Sequence, residues 1–186
     1  MAIEGLIGVP GSGKSYAMTH LALEQADLGR QVFVNYDLSH PNVFKFGPED
    51  LLHLPPGLIC IDEAHLWFSS RSSLKLPPSW LALLSQTRKR GWDLWWAAQH
   101  ESRVDRVLRD VSSWFWKCSA WVTWKGHPTF FKLECYEPER FRDPKGRIGS
   151  KWRMFSSRVA ESYDTYESLI VAQHQQSKDD AYEGAA

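Results

Sequence analysis

Short apolar runs alternate with longer segments of helical spacing along the first half of the chain. Ile3, Leu6 and Ile7 predict a strand over residues 3–8, and the pattern from Lys14 onward predicts a helix over 14–28 that Gly29 ends. Residues 31–35 (QVFVN) read as a second strand. Leu58, Ile59, Cys60 and Ile61, launched by Pro55-Pro56-Gly57, form a fully apolar run suited to a central parallel strand. Residues 66–78 read as a loop. Ser79 is placed as N-cap of a helix over 80–88 that stops at Gly91, followed by a strand over 92–98 and a helix over 103–112. This alternation predicts an α/β domain with a mostly parallel central sheet and helices on its faces.

Past residue 113 the period changes from helical to alternating. The runs 114–124 and 129–136 flank the turn signal Lys125-Gly126-His127-Pro128 and predict an antiparallel hairpin. Residues 137–150 read as loop and 152–155 as a further strand-like piece, so an antiparallel β extension is placed at about 113–157. The expected division is one domain over 1–172 and a polar tail over 173–186 with linker composition.

Composition narrows the class. The 186 residues suffice for one sizeable core, and Lys+Arg and Asp+Glu both total 22, so bulk charge does not advertise nucleic-acid binding. Cys60, Cys118 and Cys135 are odd in number and lie in apolar runs, which predicts free core thiols rather than disulfides or a zinc site. Neither a signal peptide nor an apolar run of membrane-spanning length is visible, and a cytosolic chain is expected. The ten tryptophans are expected to be mostly core or interface anchors.

The chemistry is carried by Gly8-Val9-Pro10-Gly11-Ser12-Gly13-Lys14-Ser15, which fits G-x-x-x-x-G-K-[ST] between a strand and a helix. Glycines let successive N–H groups point at phosphate oxygens, and the helix N-terminus adds partial positive charge. Lys14 is expected on the β- and γ-phosphates and Ser15 on Mg²⁺, with Tyr16 next in the nucleotide-binding set. Asp62 and Glu63 follow a buried strand, where open α/β sheets bind ligands. Asp62 is assigned to Mg²⁺ and Glu63 to the attacking water; the bland alternative is that both merely cap the segment after them. Gln99, at the tip of the next strand, is favoured over His100 as a contact to the γ-phosphate or water.

Arginines form a third constellation. Arg88-Lys89-Arg90 closes one helix, and Arg103, Arg106 and Arg109 recur along one face of the next. The bland account is a solvated basic face. The sharper one is that Arg88, Arg90 or Arg109 reaches the γ-phosphate of a neighbouring subunit.

The order of these parts resembles the additional-strand P-loop ATPases of the FtsK–HerA branch, and in detail the zonula occludens toxin-like (Zot) family, the ATPases that assemble filamentous phages. The likeness is carried by Gly8 to Ser15, Gly29-Arg30-Gln31-Val32 with Asn35, and Ile61-Asp62-Glu63-Ala64. It continues through Arg88-Lys89-Arg90-Gly91-Trp92-Asp93, Arg106-Val107-Leu108-Arg109 and Tyr163-Asp164-Thr165-Tyr166-Glu167. The resemblance implies a RecA-like fold, ATP and Mg²⁺ as cofactors, and a homo-oligomer such as a hexamer at the cytoplasmic face of the inner membrane. Its partners would be phage assembly or membrane proteins, with single- or double-stranded DNA a further candidate. Filamentous-phage members usually continue into a transmembrane helix, which this chain does not reach, so it is expected to be an isolated cytosolic domain or a short soluble relative. Two alternatives stay open: a genome-packaging ATPase of a membrane-containing icosahedral virus, and a nucleotide-gated scaffold with negligible turnover. A small-molecule kinase fits less well, because Glu63 follows Asp62.

Overall fold

The computed structural model describes residues 2–70, 78–124 and 127–163. Their framework is one eight-stranded sheet of order β3-β2-β4-β5-β1-β6-β7-β8. The strands are β1 (Ile3–Ile7), β2 (Val32–Val34), β3 (Val43–Lys45), β4 (Gly57–Ile61), β5 (Trp92–Ala98), β6 (Trp114–Trp124), β7 (His127–Tyr136) and β8 (Arg147–Met154). The first six in the order pair in parallel, while β6–β7 and β7–β8 are antiparallel. Strand β6 therefore serves both halves, completing the parallel set beside β1 and opening the antiparallel wing. The expected α/β class and hairpin are present.

Helix α1 (Lys14–Asp27) covers one face of the sheet with Ala17, Met18, Ala22 and Ala26, packed on Leu6, Val32, Val34, Leu58, Cys60 and Ala97. It closes as predicted: Gly29 takes φ +82 and its N–H donates to Ala26, while Arg30 N–H donates to Gln25. The other face is covered by Phe68, by Leu83 and Leu84 of α2 (Pro78–Ser85), and by Leu108 of α4 (Arg106–Asp110). All three cysteines are buried free thiols, as expected. Among the tryptophans, Trp92, Trp96 and Trp116 are buried, whereas Trp121 and Trp152 lie exposed on the wing.

Several boundaries differ from the sequence expectation, each for a local reason. Pro78 opens α2, so Ser79 lies inside the helix rather than capping it. Gln86 separates α2 from a short α3 (Thr87–Arg90). The expected helix over 103–112 is a 3₁₀ turn at Glu101–Arg103, a bridge from Val104 to Ser69, and then α4. Asp105 restarts the helix by accepting the Val107 N–H at 2.7 Å. Strand β3 was not expected; it is three residues long and pairs in parallel with β2. Strand β8 starts at Arg147, inside the expected loop, because an exposed edge strand needs no apolar alternation. The 173–186 tail, the 172 boundary and Asp164 to Glu167 lie outside the described residues. Among the described residues no helix is long and apolar enough to cross a membrane.

Candidate nucleotide site

The loop after β1 is folded as a cradle. Gly8 N–H donates to Ala98 at the end of β5, Ser12 N–H donates to Val9, and Ala17 N–H donates to Gly13 as α1 begins. Gly11 and Gly13 take φ +76 and +86, the left-handed region that side chains resist. At Gly13 the constraint is doubled: a Cβ would stand 2.3 Å from the Phe131 ring, which packs against the loop from β7. Lys14 is only 5% exposed, and among the described residues its ammonium donates one hydrogen bond, to Val9 at 3.3 Å. Ser12 Oγ is buried without a partner among the described residues. A buried ammonium with a single carbonyl, an orphaned hydroxyl and the N-terminus of a 14-residue helix converge on one place. That combination wants an anion rich in acceptor oxygens.

The carboxylates complete it. Strand β4 ends at Ile61 and delivers Asp62, 8% exposed, where its carboxylate lies beside Ser15 and accepts the Glu63 N–H at 2.8 Å. Asn35, at the end of β2, clamps the Asp62 backbone from both sides: its amide donates to the Asp62 carbonyl at 2.9 Å and its oxygen accepts the Asp62 N–H at 2.7 Å. Burial raises the Asp62 carboxyl above its usual range, Ser15 and Lys14 opposing it and Glu63 adding to it. A divalent cation would reverse that balance, so the Ser15–Asp62 pair fits Mg²⁺. Among the described residues no cluster of three His, Cys, Asp or Glu side chains stands ready to hold a metal by itself.

Glu63 is the one non-glycine residue at positive φ (+47) among the described residues. The strained turn aims its side chain beside Lys14 and His65, whose Nδ1 lies 3.2 Å from Glu63 Oε2. Burial pushes the Glu63 carboxyl upward, but His65, Lys14 and Arg103 outweigh it and hold it below the ordinary glutamate value. It is therefore a carboxylate at neutral pH.

Gln99 stands at the end of β5, as expected, and lines a cleft of about 780 Å³ with Gly8 to Ser12 and Lys117. Its oxygen accepts from Arg103 Nη1 at 2.7 Å. Among the arginines, Arg103 is the one the fold brings to Gln99 and Glu63, and the sequence reading had not chosen it. Arg90 sits before β5, at the opposite end of the strand, donating to Leu52 at 2.8 Å with its guanidinium 5.0 Å above Trp92. Arg109 lines a separate cleft of about 800 Å³ beside Arg106 and Arg142, its Nε buried without a partner among the described residues. The Arg88 side chain lies outside the described residues. Tyr16, expected in the nucleotide-binding set, has its ring buried against Phe131, and its hydroxyl donates to Met154 at 3.0 Å and accepts the Ser156 N–H at 2.7 Å.

Asn35, His65, Arg103 and Phe131 had no role assigned from sequence. The return of β2 to the flank of β4, and of β7 to the loop, makes them part of the site; no spacing along the chain signals it.

The Zonular occludens toxin (Zot) family matches residues 53–164, more than half of the chain. The phosphate loop lies outside that match. Among solved structures, the N-terminal domain of zonular occludens toxin from Neisseria meningitidis is 19% identical with a TM-score of 0.64, over 88% of this chain and 100% of that one. The genome packaging NTPase B204 from Sulfolobus turreted icosahedral virus 2, in complex with ATP-gammaS, is 13% identical with a TM-score of 0.59, over 83% and 98%. At these identities the likeness is one of fold, and it is the mostly parallel P-loop NTPase fold with antiparallel strands at its C-terminal side. No curated protein sequence matches the chain.

Proposed function

The chain belongs to the Zot family, and on that premise we propose that it is the ATP-hydrolysing motor domain of a homo-oligomer that drives phage assembly or extrusion at the cytoplasmic face of the inner membrane. The observation that carries the reading is the junction of the two motifs. Ser15, from the phosphate loop, lies beside the carboxylate of Asp62, which follows β4, and Glu63 is held ionised next to it on a strained turn. Backbone N–H groups of the loop and Lys14 bind the phosphates, and Ser15 with Asp62 holds Mg²⁺. The cation supplies charge neutralisation on the β- and γ-phosphates. Glu63 accepts the proton of the attacking water, and Gln99, itself oriented by Arg103, reports the state of the γ-phosphate. The two analogue complexes of B204, with ATP-gammaS and with AMPPCP, support a nucleoside triphosphate as ligand. Arg88, Arg90 or Arg109 acts on the nucleotide of a neighbouring subunit, so specific activity should rise with protein concentration.

A second reading keeps this chemistry and changes the cargo to a viral genome, which the fold shared with B204 supports. The deciding measurement for hydrolysis compares Lys14→Ala with Glu63→Gln. Lys14→Ala should lose ATP binding, whereas Glu63→Gln should bind ATP normally and turn over about 10²-fold or more slower. Wild-type turnover in Glu63→Gln would mean that the base lies elsewhere, and negligible turnover in the assembled wild type would leave a nucleotide-gated scaffold.

A further inference from the structure

Tyr16 packs with Phe131 and Phe155 in a short aromatic column beside the phosphate loop. Phe131 occupies the space that Gly13 leaves open and stacks on Tyr16 with centroids 4.2 Å apart and planes inclined by 19°. Phe155 also lies nearly parallel to Tyr16, with centroids 6.0 Å apart and planes inclined by 13°. The inner two rings are 3% and 4% exposed, but Phe155 is 45% exposed.

The column stands at the nucleotide end of the sheet. Strand β8 runs in the same direction as β6 and β1, so Phe155, which follows Met154, leaves the sheet at the end where the phosphate loop leaves β1. Its backbone is pinned there: Phe155 N–H donates to Thr129 at 2.8 Å, and Ser156 N–H donates to the Tyr16 hydroxyl at 2.7 Å. The ring is thus held beside a buried tyrosine two residues from Lys14. Asp62, Glu63 and Gln99 all lie on the opposite side of the loop, at the ends of β4 and β5. A triphosphate whose terminal phosphate points toward these carboxylates leaves its nucleoside to lie toward β6–β8.

We infer that Phe155, exposed and held beside Tyr16 at this end of the sheet, is the platform on which the nucleobase stacks. The inference rests on the nucleotide-binding reading above and adds the base-recognition element to it. A flat apolar ring reads area rather than hydrogen-bond pattern, so ATP and GTP should bind alike and both better than UTP or CTP.

The test titrates the full chain, with Mg²⁺, against ATP, GTP, UTP and inorganic tripolyphosphate. Wild type should bind ATP about tenfold or more tighter than tripolyphosphate. Phe155→Ala and Phe155→Leu should each bring ATP down toward the tripolyphosphate level while leaving tripolyphosphate itself unchanged. Phe155→Trp should keep the wild-type preference. The unchanged tripolyphosphate affinity is the control that the loop is still folded, and Phe155→Leu retains most of the apolar packing. An ATP-to-tripolyphosphate ratio unaltered in both truncations overturns the platform and leaves the nucleotide reading standing. Equal loss of both ligands makes Phe155 a packing residue and also overturns it. If wild type and Lys14→Ala bind tripolyphosphate equally, the nucleotide reading fails as well.

Discussion

Strands β4 and β8 belong to one sheet, yet every residue of β4 is buried and every residue of β8 except Arg153 is exposed. Strands β2 and β4, in the parallel half, are buried along their whole length and read as apolar runs, with polar groups following at their ends. There Asn35, Asp62 and Gln99 gather. The antiparallel wing packs one face on α1 through Phe131, Leu133 and Cys135, while Trp121, Phe130, Trp152 and Met154 remain exposed. The two halves meet at the phosphate loop. One side supplies the carboxylates, and the other supplies the ring that occupies the gap at Gly13. The comparison teaches that the loop is held from both sides, and that the wing is structural support as well as an appendage.

Removing Phe131 should break this arrangement most severely. Phe131→Ala empties a site that is 3% exposed and unstacks Tyr16, at a cost of about 3–5 kcal/mol. Urea unfolding should show that loss together with weakened ATP binding. A cost near that of a surface substitution would mean that the wing does not brace the loop.

The corresponding tie in the parallel half is smaller and depends on pH. Asp93, in β5, accepts from Arg30 Nη2 at 2.6 Å and from the Ala2 N–H at 2.6 Å, and Arg30 also donates to the Gly57 carbonyl at 3.2 Å. Burial raises the Asp93 carboxyl, but Arg30 and Ala2 outweigh it, so the folded value lies below the ordinary one. A depressed folded value means stability that is fully present above about pH 4 and is lost as the pH falls through the folded value. Asp93→Asn should therefore cost about 1–3 kcal/mol at pH 7 and progressively less below pH 4, measured by thermal unfolding across that range. A penalty that does not change with pH would assign the effect to packing.

The smallest effect belongs to the open face of the wing. Trp121 is 55% exposed and touches Trp152 at 6.1 Å. Trp121→Ser should change stability by about 0.5 kcal/mol or less in the same unfolding assay. A larger loss would mean that this face is covered in solution and would narrow the contrast with β4.

The parts of this protein that were legible in the sequence are those whose signal is local. Gly11, Gly13 and Lys14 announce a phosphate loop because its backbone angles and charge can be supplied only by those residue types at that spacing. Leu58 to Glu63 announce a buried strand with carboxylates at its tip because apolarity on both faces is a property of consecutive residues. Gly29 ends α1 for an equally local reason, its positive φ. The members of the site that were not legible are joined to it across the chain. Asn35 meets Asp62 across 27 positions, and Tyr16 receives a hydrogen bond from Ser156 across 140. Arg103 was one of three arginines with the same helical spacing, and the turn at Glu101–Arg103 singled it out by ending before α4 began. The chain by itself therefore determined which chemistry is present, since that rests on residue type and short spacing. Only the tertiary structure decided which side chains hold that chemistry in place, because strand order and the return of β7 and β8 to the phosphate loop are set by packing between segments far apart in sequence.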